Sequence, residues 1–168
     1  MKKLFALLFI FLLGQAVQAK VFEAGVSIEK IPKAIYGTWR VSAKLETTNA
    51  HSTFKPQSID FWTLSRVNNT IRLHNPHSGA NAEISVKTVE GNLIVFSKKA
   101  DYDQNKVLTD IVTIRLGENS FSGINDLKLE QFSLIDNHLM KTQTAKYIIK
   151  GEKIAGDSVL TSDEIQTP

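Results

Sequence analysis

Between Ile35 and Leu45 the chain reads I-Y-G-T-W-R-V-S-A-K-L, and apolar or small residues recur at every second position. Ile35, Gly37, Trp39, Val41, Ala43 and Leu45 fall on one side, while Thr38, Arg40, Ser42 and Lys44 fall on the other. A period of two is that of a strand with one face on a core and the other in water. This stretch reads as the first strand of an antiparallel barrel.

The remainder repeats strand, turn, strand. Runs at 59–67, 70–74, 80–89, 93–98, 107–116, 120–124, 127–135 and 138–150 are separated by Asn68-Asn69, the Asn75 to Gly79 loop, Glu90-Gly91-Asn92, the polar stretch 101–105, Gly117-Glu118-Asn119 and Asp136-Asn137. Paired asparagines and glycines are residues that accept the left-handed conformations of tight hairpins. About nine short strands at such spacing predict an all-β fold, a sandwich or a barrel. The clear connections are short, whereas a sandwich needs long crossings between sheets, so a single antiparallel up-and-down β-barrel of about 8–10 strands is expected. Closure also removes sheet edges. Gly151 and Gly156 offer bends in the last strand. One long polar loop, 46–58, contains Pro56 and follows the first strand; loops of that length are often functional.

At the N-terminus, Lys2 and Lys3 precede the apolar run 4–13 and a small-residue segment ending at Ala19. A charged start, a short apolar run and small residues make a cleaved signal peptide over 1–19, too short to span a bilayer. The expected product is a periplasmic or secreted bacterial protein with no transmembrane segment. Residues 20–34 then form an arm with a helical turn stopped by Pro32, 35–160 the barrel domain, and 161–168 a disordered tail. The signal carries two of the 20 basic residues and none of the 17 acidic ones, so the remainder is nearly neutral and lacks an electrostatic footprint for nucleic acid. With no cysteine, packing and backbone pairing alone must hold the fold.

Gly37-Thr38-Trp39, at the entrance of the first strand and after a short helical turn, resembles the G-x-W signature of the lipocalin-like (calycin-type) β-barrel family. Leu108-Thr109-Asp110-Ile111 resembles that family's T-D-Y signature, with isoleucine in the aromatic position. The third signature, a late arginine that packs over the tryptophan, has no counterpart, the last arginine being Arg115, and no C-terminal helix is evident. The resemblance implies a cup with a small apolar ligand inside.

Independently of any family, the ring of Trp39 can close one end of a barrel if its N–H finds an acceptor. In D-F-W-T-L, Phe61 and Trp62 face opposite sides of a strand, so one of them must meet solvent, a ligand or a partner. Trp39, Val41, Ala43, Trp62 and Leu64 are the expected ligand-binding residues, with Asp60 in phase with the last two. His51, His74, His77 and His138 lie in loops and near turns, and Asp101, Asp103 and Asn105 have the opening spacing of a calcium loop. Lys106 stands where that loop wants glycine and Val112 where it wants glutamate, so no metal is expected. No nucleophile elbow, zinc-protease motif, phosphate loop or nucleophilic cysteine occurs, so no catalytic residue and no cofactor are expected. Two functions fit: an exported carrier of a small hydrophobic or amphipathic molecule, with lipid binding as its form, and a non-enzymatic structural or interaction protein with an envelope protein partner.

Overall fold

The computed structural model describes residues 28–67, 70–156 and 159–160. The expected signal peptide, the Asn68-Asn69 turn and the 161–168 tail lie outside the described residues. Two single turns of 3-10 helix, Ile28–Lys30 and Lys33–Ile35, lead into the sheet. The strands are β1 (Gly37–Thr48), β2 (Gln57–Val67), β3 (Thr70–His74), β4 (Asn81–Glu90), β5 (Leu93–Asp103), β6 (Lys106–Leu116), β7 (Ser120–Phe132), β8 (Leu139–Ala155) and β9 (Val159–Leu160). From β1 to β8 each strand runs antiparallel to the next, and β1 pairs with both β2 and β8. The sheet thus closes into an up-and-down barrel, as the strand pattern requires. The two residues of β9 run parallel to β2 at Arg66 and Val67, where β2 has passed the start of β1.

Several boundaries differ from the sequence expectation, and β8 runs on past Lys150 to Ala155. The run 120–124 and the part of 127–135 up to Phe132 form one strand, β7, because Asn125 is in phase with Phe121 and Leu129 and points inward with them rather than turning the chain. β5 continues past Lys98 to Asp103. The loop after β1 is confined to 49–56, since β1 reaches Thr48 and Leu45 N–H still donates to Pro56 C=O at 2.8 Å.

One end of the barrel is filled. Ile35, Trp39, Leu64, Ile94 and Ile114 have no exposed surface, and Tyr36 and Phe121 pack with them. The Trp39 indole N–H donates to Ile35 C=O at 2.7 Å, which joins the 3-10 turn to the sheet across the barrel end. Above the ring, 5.0 Å from its centroid, stands the Lys153 ammonium, which also donates to Tyr36 C=O at 2.9 Å. A cation over an indole face is attracted by its quadrupole. Lys153 belongs to β8, where it lies directly opposite Trp39 in the ladder.

Gly37 and Gly151 each have a steric reason to be there. Gly37 has φ of 120°, and a Cβ there would sit 2.3 Å from Gly156 C=O and 2.7 Å from Ala155 C=O, because the end of β8 crosses over the start of β1 at this point. Gly151, expected as a bend, leaves room for the Phe121 ring, whose Cε1 would be 2.2 Å from an added Cβ.

Candidate functional site

Above the filled end, inward positions of β1 to β8 and the 49–56 loop enclose a cavity of about 480 Å³. That is the size of pocket that takes one small molecule. Its walls are mainly aliphatic and aromatic, with Val41 and Ala43 from β1, Trp62 from β2, Leu73 from β3, Ile84 from β4 and Phe96 from β5. Leu108, Leu127, Leu129 and Ile149 complete the apolar part, and exposed Ser58, Ser78, Ala80 and Tyr102 mark the mouth. Phe54, from the loop after β1, is buried against the opening, and the Tyr147 hydroxyl donates to Lys55 C=O at 2.9 Å. That bond ties the loop to the β8 wall.

Of the five residues expected to bind a ligand, Val41, Ala43 and Trp62 line the cavity. Trp39 and Leu64 lie beneath it, fully buried in the filled end. The question left open at Phe61-Trp62 resolves with Trp62 inside, 6.0 Å from Phe121 and 6.4 Å from Phe96 by ring centroids. Phe61 lies outside, edge-on to the His77 ring at 4.7 Å.

Two carboxyl groups line the same cavity from opposite walls, each held by an asparagine. On β2, Asp60 accepts from the Asn75 side-chain amide, from Phe61 N–H at 2.9 Å and from the Trp62 indole at 3.2 Å. It therefore fixes the Trp62 ring and the loop after β3. On β6, Asp110 accepts from the Asn125 side-chain amide, and Lys98 faces it across the β5–β6 ladder. Asp60 was visible in the sequence by its phase with Trp62. Lys98, Asp110 and Asn125 were not singled out as a site, because their meeting depends on pairings between three strands.

Burial pushes the Asp110 carboxyl up from its ordinary range, with the Asn125 hydrogen bond and the Lys98 charge opposing. The folded state therefore holds the proton to higher pH than the unfolded chain does. This side chain favours folding at low pH, and its contribution is lost as pH rises from the unfolded pKa through the folded one. Asp110→Asn keeps an acceptor for Asn125 and removes the buried charge. Thermal melts from about pH 3 to 8, spanning the ordinary carboxylate range, should show the variant more stable than the parent at neutral pH, with the gap closing on acidification. A gap independent of pH would contradict this.

Among the described residues, no three His, Asp, Glu or Cys side chains converge as metal ligands. His74 bonds the Asn81 side chain at 2.8 Å, and His138 bonds Asp136 at 2.6 Å. No protein-family model matches the chain, and no curated protein is significantly similar to it. The architecture is compatible with a lipocalin-like barrel, and the function must be read from the lumen itself.

Proposed function

We propose that this protein is an exported carrier that holds a small hydrophobic or amphipathic molecule in the lumen of its barrel. The observation that carries the reading is the cavity of about 480 Å³ between a floor of large buried side chains and a mouth bordered by loops. A barrel of this strand number can equally be filled by its own side chains. Here small Ala43 on β1 and the inward polar groups leave the upper half unfilled. The leader expected at 1–19 agrees with work outside the cytoplasm.

The test is direct. An environment-sensitive hydrophobic dye should bind the purified protein saturably near one equivalent and be displaced by lipids. Ala43→Phe, which aims a ring into the lumen from β1, should abolish that binding while the circular dichroism spectrum stays that of a strand protein. Unchanged dye binding by a folded Ala43→Phe variant would remove the lumen from consideration.

A second reading, an interaction protein of the cell envelope, has one observation in its favour. The β7–β8 hairpin carries Leu134, Ile135, Leu139 and Met140 with half or more of their surface exposed, Ile135 almost entirely so. Grouped exposed apolar residues of this kind mark interaction sites.

A further inference from the structure

We propose that Lys98, Asp110 and Asn125 form a head-group site on the lumen wall, and that the head it takes is uncharged and both donates and accepts hydrogen bonds, as a hydroxyl or primary amide does. This rests on the carrier reading above and specifies its ligand.

Three neighbouring strands bring the groups together. Lys98 on β5 and Asp110 on β6 are direct cross-strand partners, so their side chains leave the sheet on the same face about 5 Å apart at Cβ. Asn125 on β7 pairs with Val112 and reaches diagonally to Asp110. All three line the cavity, with apolar Val112, Leu108 and Leu127 around them. A polar cluster in an otherwise apolar lumen fixes where and how a ligand lies.

The hydrogen-bond inventory leaves specific vacancies. Asn125 spends its amide on one carboxyl oxygen of Asp110. Among the described residues, the other Asp110 oxygen, the Asn125 side-chain carbonyl and the Lys98 ammonium have no further side-chain hydrogen-bond partner. The site thus offers one strong donor and two acceptors. Asp60, on the opposite wall, is the contrast: it too has an asparagine partner, Asn75, but two more donors already occupy it.

Charge selects the head. A cationic head brought to Asp110 must lie beside Lys98, and an anionic head brought to Lys98 must lie beside Asp110. Each meets a like charge on a wall of mainly apolar side chains, where such repulsion is screened less than in open water. A head that is neutral and bifunctional satisfies the vacancies without it. Burying it elsewhere on the apolar wall would leave its polar atoms unpaired.

The experiment is competition against the hydrophobic dye at neutral pH with four ligands of one chain length: decanol, decanamide, decanoate and decylamine. The amide and the alcohol are expected to bind at least about tenfold more tightly than the acid and the amine, a factor equal to about 1.4 kcal/mol. Removing one charge should release the ion it repelled. Lys98→Met should narrow the deficit of decylamine, and Asp110→Asn that of decanoate, each read as a ratio to the affinity of the same variant for decanol. Equal affinity for all four heads in the parent, or a charged head binding tightest, would overturn the head-group site while leaving the carrier reading intact. Failure of the dye and of every ligand would overturn both.

Discussion

Replacing Trp39 by alanine is expected to cost about 3–5 kcal/mol of folding stability, the range for deleting a fully buried large aromatic side chain. Three losses combine at this position. The ring has no exposed surface and packs 5.1 Å from Phe121, so its removal opens a void among Leu64, Ile94 and Ile114 that the strand backbones cannot collapse to fill. Ile35 C=O loses its indole donor, and Lys153 loses the face it stands over. Trp39→Phe separates these contributions, since it keeps most of the packing but not the hydrogen bond. It should recover more than half of the loss in denaturant melts. An alanine variant with an unchanged midpoint would show that the floor does not organise the barrel.

Gly37→Ala is expected to leave little folded protein. At φ of 120° a side chain is strained by about 1–3 kcal/mol in any surroundings. Here the added carbon also collides with two backbone carbonyls of residues 155 and 156, which cannot swing aside as a side-chain tip can. Gly91 supplies the control: its φ is 60°, yet a Cβ there meets nothing within 4 Å. Gly91→Ala should therefore cost only the left-handed conformational term, about 1–2 kcal/mol. Equal melting temperatures for the two variants would show that the crossing at Gly37 is not tight in solution.

The sequence made the lower half of the barrel readable and the upper half much less so, for one physical reason. Near the floor, one face of each strand meets a dry core and the other meets water, so Trp39-Arg40-Val41-Ser42 alternates sharply. Toward the mouth the inner face turns polar at Lys98, Asp110 and Asn125, and the contrast between faces fades. That is why β5 was expected to end at Lys98 and β7 to break at Asn125. Trp62 and Asp60 were visible because β2 keeps its phase throughout. Lys153 was not legible for a different cause: its place over the Trp39 ring depends on the closing pairing of β1 with β8, which no local pattern announces.

The double pairing of β1 also dictates the order in which the chain is able to finish folding. The β2 side of β1 closes over a short separation, Gly37 with Leu64 and Lys44 with Gln57. Its other side waits for residues 145–155, at the far end of the described barrel. Until those residues have docked, β1 has one row of free N–H and C=O groups, and the last strand added exposes another. Closure entropy of this kind makes assembly slow relative to a chain of local hairpins. The unclosed sheet is open to pairing with other chains until β8 docks on β1. A stop anywhere before β8 would yield not a smaller barrel but a curled sheet with two adhesive edges.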